Sequence, residues 1–236
     1  PPRSTLFPYT TLFRSDLINF LNVSPSKIDV IYQSCDVNFQ KKCTEDELVD
    51  IRAKYGLPEK YILYVGTVEE RKNLLNIVKA LYEKHINVPL VVIGRKTKYF
   101  HSEVLPYIEH NNVKNMVFPS FVSNEDLPAV YQSALCFVYP SIFEGFGIPI
   151  LEALTSGVPV ITSKGSCFEE TGGSHSLYVD PNKPEQIGDA IIRLMGDANL
   201  RELMVTKGYE HSKLFLPERI AKEFMRLYQD ILSNNN

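Results

Sequence analysis

Short runs of consecutive apolar residues, separated by longer segments with helical spacing, constrain the fold of this chain most. The predicted strands are residues 61–65, 88–93, 116–118, 135–139, 158–162 and 176–179. Because the apolar residues in these runs are consecutive, they suit strands that are buried on both faces of a parallel sheet. Strands that alternate with helices predict an α/β domain with a doubly wound parallel sheet.

The segments between these runs carry the signals of helices. Thr44 precedes acidic residues and Gly56 ends the same segment, as expected of an N-cap and a C-terminal glycine. The predicted helices are residues 45–55, 73–84, 102–110, 125–133, 149–156, 184–195, 200–214 and 217–232. Upstream, residues 16–21 predict a short helix and residues 28–32 a strand, and the polar residues 33–44 suit a linker.

Composition limits the classes of function. The 236 residues are 44% hydrophobic, which is ample for a core, and the net charge of −3 gives no reason to expect a nucleic-acid partner. No apolar run approaches the ~20 residues of a transmembrane helix. The cysteines lack metal-site spacing, so we expect free thiols in a reducing compartment, with a Cys35–Cys43 disulfide as the alternative in an oxidising one.

Residues 1–15 differ from the rest of the sequence. Residues 4–7 and 10–13 form a near-repeat without strand or helix periodicity, and the segment lacks the charge pattern of a signal peptide. It resembles translated vector or adapter DNA. We therefore leave it out of the fold prediction and expect the natural protein to continue upstream.

Residues 136–161 combine a buried strand, a glycine-containing loop and the start of a helix. The loop 140–147 is followed by Pro149, which suits a first helical residue, and Gly157 ends the predicted helix. Free backbone N–H groups at such a helix start form an anion site.

Two carboxylates belong to this stretch, Glu144 in the loop and Glu152 in the helix. Carboxylates repel phosphate, so they suit hydroxyl groups better. Amides for an anion and carboxylates for hydroxyls together indicate a sugar nucleotide. The alternative is that both glutamates are solvated surface residues beside a tight turn.

Residues that follow the predicted strands should meet at one edge of the sheet, because parallel strands end on the same side. Arg71 and Lys72 follow the first strand after Gly66. We take them as candidates for a diphosphate, because cations at a helix start oppose the helix dipole and need an anion. Arg95 and Lys96 follow the next strand, and the sequence leaves open whether they bind phosphate or are only solvated.

Two common phosphate fingerprints, GxGxxG and GxxxxGK[ST], are absent from the sequence, which argues against a dinucleotide dehydrogenase and a P-loop NTPase. The histidines are scattered and show no metal pattern. Among them, only His175 lies near the predicted edge of the sheet, and it is a minor site candidate.

Residues 143–153 resemble the E-x7-E motif of retaining glycosyltransferases of the GT-B fold, family 4 type. Other landmarks follow in the order that this family has: Tyr64-Val65-Gly66, Arg71-Lys72-Asn73, 122–127 with Tyr131, Tyr139-Pro140-Ser141, 157–161, Glu170 with Gly173, and 178–181. The resemblance covers roughly residues 28–232. It implies the Rossmann-like C-terminal half of a GT-B enzyme, which binds the donor.

The resemblance also implies roles for residues. Glu144 would be the catalytic residue, contacting donor hexose hydroxyls beside the reacting carbon. The implied donor-binding residues are Gly66, Arg71, Lys72, Gly145, Phe146, Gly147, Ile148 and Glu152. Glu152 would bind the ribose, and the cations the diphosphate. The resemblance implies a nucleotide-diphosphate sugar as donor, neither metal nor other cofactor, a glycan or lipid-linked acceptor, and a cytoplasmic enzyme that could associate with the inner membrane.

Two departures stand out: Thr67 occupies a place where many relatives carry Arg, and residues 215–218 lack the usual Trp. The expected organisation is a foreign segment 1–15, a remnant of the acceptor domain with its linker at 16–44, a donor-binding domain 45–215, and a crossover helix with its tail at 216–236. With the acceptor domain missing, little transfer is expected. The alternatives are a GT-B sugar-nucleotide epimerase and a non-catalytic binding fragment.

Overall fold

The computed structural model describes residues 11–233, and these contain a six-stranded sheet in the order β3-β2-β1-β4-β5-β6. All neighbouring strands are parallel. The strands are β1 Ile62–Val65, β2 Leu90–Ile93, β3 Met116–Val117, β4 Cys136–Tyr139, β5 Val160–Ser163 and β6 Leu177–Val179. This strand order and the parallel pairing confirm the predicted doubly wound α/β fold. Consecutive apolar residues in β1, β2, β4 and β5 are buried, as expected of a parallel sheet covered on both faces.

Helices connect the strands and cover the sheet. They are α1 Thr11–Leu21, α2 Glu45–Tyr55, α3 Leu74–Glu83, α4 Leu105–His110, α5 Leu127–Gln132, α6 Ile148–Thr155, α7 Phe168–Gly172, α8 Pro184–Gly196, α9 Ala198–Ser212 and α10 Pro217–Ser233. Short 3-10 turns span Pro25–Lys27, Val37–Gln40, Glu70–Lys72 and Lys213–Phe215, and a π turn at Phe100–Val104 leads into α4.

Local sequence explains where α2 begins and ends. The Thr44 hydroxyl accepts a hydrogen bond from the Glu47 N–H, and the Glu47 carboxylate accepts one from the Thr44 N–H, which together form a capping box. Gly56 follows the helix in the left-handed conformation, where glycine carries no steric penalty. The predicted boundaries of this helix are confirmed.

The strand order places β1 and β4 side by side, although two strand–helix units separate them in the chain. From β1 the chain runs towards β2 and β3 on one side, and from β4 towards β5 and β6 on the other. The direction of the chain therefore switches between β1 and β4, and in open parallel sheets such a switch point forms a crevice beyond the carboxyl ends of the strands. This is where a ligand is expected in an open parallel sheet.

The loops after β1 and β2 are held together by a close backbone approach. A Cβ on Gly94 would overlap the carbonyl oxygen of Gly66 and lie 2.5 Å from its carbonyl carbon. Beyond this contact the Val68 N–H donates to the Arg95 carbonyl over 3.0 Å, and Val68 and Lys96 form an isolated parallel bridge. The loop that leads to the Glu70–Lys72 turn is thus anchored to the loop after β2.

The structure corrects several local predictions. Residues 28–32 form no strand within the described part of the chain, although Ile28 and Ile31 are buried. Helix α1 begins at Thr11 and not near Asp16, so part of the segment that showed no helical periodicity is helical. Residues 1–10 and 234–236 lie outside the described residues, and the predicted domain boundaries stay predictions.

Other differences arise from short elements. Helix α7 was not predicted, because five residues that end in glycine give no periodic signal. The predicted linker contains the Val37–Gln40 turn, in which Phe39 is buried and packs against the ring of Tyr131 at 5.6 Å. This part of the chain is therefore attached to the domain surface.

Candidate functional site

Glu144 is the centre of a cluster at the carboxyl ends of β1 and β4. Its side chain is only 11% exposed. Its Oε1 atom accepts hydrogen bonds from Ser141 Oγ at 2.8 Å, from Tyr139 OH at 2.9 Å and from Arg71 Nη1 at 3.2 Å, and it also pairs with Lys72 Nζ. The candidate catalytic residue and both candidate diphosphate cations are therefore brought together.

The two cations of this cluster differ in their exposure. Lys72 is 12% exposed, and its ammonium group lies 5.1 Å from the centroid of the Tyr139 ring, whose hydroxyl it also contacts. Arg71 is 48% exposed and also pairs with Glu69, with 3.3 Å between Nε and Oε2. Arg71 can thus meet a ligand from solvent, whereas Lys72 lies deeper beside Glu144.

Asn73 fixes the turn that carries both cations. It has a left-handed backbone with φ of 63°, a conformation that asparagine tolerates better than most residues. Its buried side chain donates to the carbonyl oxygens of Pro140 at 3.0 Å and Pro181 at 2.6 Å. The turn after β1 is therefore tied to the loop after β4, which supports the cluster around Glu144.

Glu152 lies in α6, the helix that follows this loop. Its Oε2 atom accepts a hydrogen bond from the buried hydroxyl of Tyr131 at 2.9 Å. Burial raises the pKa of Glu152, the negative charge of Asp36 acts in the same direction, and the Tyr131 hydrogen bond opposes both. Burial acts on Glu144 in the same direction, but Lys72, Ser141 and Tyr139 outweigh it and hold the pKa of Glu144 below its usual value.

Opposite pKa shifts predict opposite pH dependence for two matched variants. A raised folded-state pKa makes Glu152 destabilising as pH rises above its ordinary value of 4.5, because the folded protein holds the proton that the unfolded chain releases. A lowered pKa makes Glu144 stabilising above 4.5, and this contribution is lost as pH falls. We therefore expect Glu152→Gln to gain stability relative to the wild type between pH 4 and 7, and Glu144→Gln to lose it.

Urea unfolding at several pH values measures both differences. The two variants make the same chemical change, so each serves as the control for the other. Parallel pH profiles for the two variants would contradict the assigned environments.

The loop 144–148 presents backbone donors to the crevice. No acceptor within residues 11–233 takes a hydrogen bond from the N–H groups of Gly145, Phe146 or Gly147. Gly147 has φ of 93° and precedes Ile148, the first residue of α6. Unused N–H groups before a helix start are a common feature of anion sites.

The ring of Phe146 is buried, whereas its proposed role in donor binding concerns its backbone N–H. Its side chain is only 2% exposed and packs against the rings of Tyr32 at 5.9 Å and Phe215 at 5.4 Å, so only its backbone is available to a ligand. The family motif pointed to the backbone of Phe146 and gave no prediction of where its ring packs. The ring instead joins the loop to the segment before α2 and to the start of α10.

A cavity of about 560 Å³ opens at the carboxyl ends of β2 and β3, beside the crevice. Its lining includes Gly94, Arg95, Lys96, Pro119, Phe121 and Val122. Phe121 is 86% exposed. The Lys96 ammonium group lies 4.3 Å from the centroid of the Phe118 ring, so Lys96 packs over an aromatic side chain while Arg95 faces solvent.

Sequence reasoning did not assign Tyr139, Ser141, Tyr131 and Asn73 to the site, although all four occur in its landmarks. A signal was present for two of them, because Tyr139 and Ser141 mark the point where a buried strand becomes a polar loop. His175 is a correction in the other direction. It lies two residues before β6 and so near the amino end of this strand, whereas the site lies at the carboxyl ends of β1 and β4.

Two further findings concern the described residues as a whole. No helix within residues 11–233 is long and apolar enough to cross a lipid bilayer. The same residues contain no group of three or more His, Cys, Asp or Glu side chains placed to hold a metal ion.

The chain has a Rossmann-like α/β fold with a six-stranded parallel sheet, and comparison with solved structures assigns it to the GT-B type. Sucrose-phosphate synthase from Thermosynechococcus elongatus superposes with a TM-score of 0.83 over 96% of this chain and 58% of its own, at 23% identity. Anabaena HepE in complex with UDP-glucose superposes with a TM-score of 0.86 over 96% of this chain and 64% of its own, at 16% identity. At these identities, the likeness shows the fold.

Sequence comparison gives the family. The model of glycosyl transferases group 1 matches residues 50–211, and the chain belongs to this family. The O-antigen chain mannosyltransferase B of Escherichia coli is 31% identical over 92% of this chain and 58% of its own length. An uncharacterised glycosyltransferase of Methanocaldococcus jannaschii is 29% identical over 92% of this chain and 57% of its own. The chain thus spans less than two thirds of these relatives.

Proposed function

We propose that this chain is the donor-binding part of a retaining glycosyltransferase that transfers a hexose from a nucleotide-diphosphate sugar to a glycan or lipid-linked acceptor. One observation carries the proposal. Arg71, Lys72 and Glu144 meet at the crevice between β1 and β4, directly beside the free amides of the loop 145–147. Cations and amides suit a diphosphate, and a carboxylate suits the hydroxyls of a hexose.

Each part of the donor has a place at this edge of the sheet. Arg71 and Lys72 bind the diphosphate, Arg71 from the solvent side and Lys72 from below. Glu144 accepts hydrogen bonds from hexose hydroxyls near the reacting carbon. Glu152 binds the ribose hydroxyls. The nucleoside base enters the cavity beside β2 and β3, because the hexose and diphosphate occupy the ends of β4 and β1 and the sheet order leaves β2 next in line.

The chemistry follows from these groups. Bond cleavage at the anomeric carbon leaves negative charge on the diphosphate, and the side-chain cations with the start of α6 offset that charge without a metal. The sugar passes through an oxocarbenium-like state, in which the nearby carboxylate of Glu144 is favourable. The acceptor oxygen bonds to the anomeric carbon on the face that the diphosphate leaves, and the leaving phosphate takes the proton of the acceptor hydroxyl. Because the new bond forms on the same face as the old one, the anomeric configuration is retained.

The relatives indicate the biological setting. Two relatives are named O-antigen chain mannosyltransferases, which supports the assembly of a cell-surface polysaccharide as the role of this enzyme. We place the enzyme in the cytoplasm, at the inner membrane. The other wall of the cleft, which binds the acceptor, belongs to an additional domain for which the greater length of the relatives leaves room. We expect the present chain to bind the donor and to transfer little by itself. The epimerase alternative is less well supported, because these relatives carry transferase names.

Calorimetry with UDP, GDP and their sugars tests the proposal. Lys72→Ala and Glu152→Ala should each weaken the binding of the nucleotide sugar by roughly 1–3 kcal/mol, the range for loss of a hydrogen bond to a charged group. Lys207→Ala on α9 removes a cation from an exposed pair with Glu210 and should leave binding unchanged. The proposal fails if none of these nucleotides binds at millimolar concentration, or if both site variants keep wild-type affinity.

A further inference from the structure

Arg95 has a fixed backbone and a free side chain. Its carbonyl oxygen accepts a hydrogen bond from the Val68 N–H at 3.0 Å, and the next residue, Lys96, pairs with Val68 in the parallel bridge. The guanidinium group is exposed and makes no hydrogen bond or ion pair with residues 11–233. It lines the cavity of about 560 Å³ at the ends of β2 and β3.

Three other cations near this cavity are already engaged. Arg71 pairs with Glu69 and Glu144, and Lys72 pairs with Glu144. Lys96 lies over the ring of Phe118. Arg95 thus offers a planar group with several N–H donors that the protein itself does not use.

Aromatic and apolar surface surrounds this guanidinium group. Phe121 is 86% exposed, which is unusual for a large aromatic side chain without a partner, and it lines the same cavity together with Pro119 and Val122. An exposed aromatic ring is a stacking surface for a flat base. The cavity therefore combines a surface that accepts any base with a group that can read one edge of the base.

The donor pattern of arginine discriminates among bases. Guanine presents two neighbouring acceptors, O6 and N7, and the guanidinium fork pairs with both. Adenine presents one acceptor beside an amino donor, and uracil presents its O4 acceptor beside the N3–H donor, so neither matches two parallel donors. Building on the proposed function, we propose that Arg95 selects guanine and that the donor is a guanosine-diphosphate sugar.

A different role for Arg95 would give a different result. Thr67 precedes Val68, whose N–H donates a hydrogen bond to the carbonyl oxygen of Arg95. Many members of the family that this sequence resembles carry an arginine in the place of Thr67. If Arg95 replaced that arginine on the diphosphate, it would favour all nucleoside diphosphates equally. If Arg95 instead selects the base, it strengthens the binding of GDP and not that of UDP or ADP.

Calorimetry with GDP, UDP and ADP separates these roles, using the wild type, Arg95→Lys and the control Lys98→Ala. Lysine keeps the charge and loses the fork, and Lys98 is an exposed neighbour outside the cavity lining. The wild type should bind GDP about ten- to hundredfold more tightly than UDP or ADP, the range for a bidentate arginine–guanine pair. Arg95→Lys should lose most of this preference while its UDP affinity changes little, and Lys98→Ala should keep the preference.

Several outcomes overturn the proposal. Equal loss of affinity for all three nucleotides in Arg95→Lys would assign the residue to the diphosphate. A wild type that binds UDP or ADP at least as tightly as GDP would refute base selection and leave the proposed donor site standing. Absence of binding by all three would refute both. A folded Arg95→Lys protein that keeps the GDP preference would refute the role of Arg95. The wild-type ratio decides the base of the donor even if the variant fails to fold.

Discussion

Glu144→Gln should tighten the binding of a nucleoside diphosphate by about ten- to hundredfold. The Glu144 carboxylate pairs with both Arg71 and Lys72, so a diphosphate must compete with it for the same two cations. A hydrogen bond to a charged group contributes a net ~1.5–3 kcal/mol. When the competing charge is removed, the binding free energy of the diphosphate should become more favourable by an amount of this order. Glutamine keeps the size of the side chain and can still accept hydrogen bonds from Ser141 and Tyr139.

The intact nucleotide sugar should respond differently. Its hexose loses the carboxylate that accepts its hydroxyls, which offsets the gain at the diphosphate. The affinity of the nucleotide sugar relative to the nucleoside diphosphate should therefore fall by about tenfold or more. Calorimetry with both ligands measures this ratio in the wild type and the variant.

Glu69→Gln is the matched control. It removes the same charge from a residue that pairs with Arg71 on its exposed side, with 3.3 Å between the charged atoms and 40% exposure of Glu69. An exposed pair contributes little, so this variant should change either affinity less than about threefold. Weaker binding of the nucleoside diphosphate by Glu144→Gln would show that Glu144 does not compete for the cations.

The sequence predicts the elements of the fold well because their signals are local. Consecutive apolar residues specify β1, β2, β4 and β5, and the capping residues Thr44 and Gly56 specify the ends of α2. Prediction fails where the outcome depends on distant partners. Residues 28–32 have a strand pattern, but a strand forms only where a neighbouring edge accepts its hydrogen bonds.

The same distinction holds for the site. Arg71, Lys72 and Glu144 were placed on one edge of the sheet because parallel strands end together. Their direct pairing, and the hydroxyl of Tyr139 between them, depend on how the turn after β1 folds against the loop after β4. The buried position of the Phe146 ring depends on Tyr32 and Phe215, which lie far from it in the sequence, so the motif alone gave no prediction for this side chain.

Gly94→Ala should destabilise the protein by ~3 kcal/mol or more and remove donor binding as well. Gly94 has φ of 149°, which side chains rarely allow, and its added Cβ would overlap the backbone carbonyl group of Gly66. Overpacking a core with a side chain costs ~1–3 kcal/mol, and here the obstacle is backbone, which cannot rotate away. The loops after β1 and β2 must then separate.

Separation of these loops should also disturb the candidate site. It breaks the hydrogen bond from Val68 to Arg95 and moves the turn that carries Arg71 and Lys72. Urea unfolding measures the free energy of unfolding. Calorimetry with a nucleoside diphosphate, at urea concentrations too low to unfold the protein, measures the binding affinity. Gly196→Ala, at the end of α8 with nothing within 4 Å of the added Cβ, should be nearly neutral in both. If Gly94→Ala has wild-type stability, the two loops do not approach as closely as the structure shows. If the variant is destabilised but binds the nucleotide like the wild type, the close approach of the loops is not needed for donor binding.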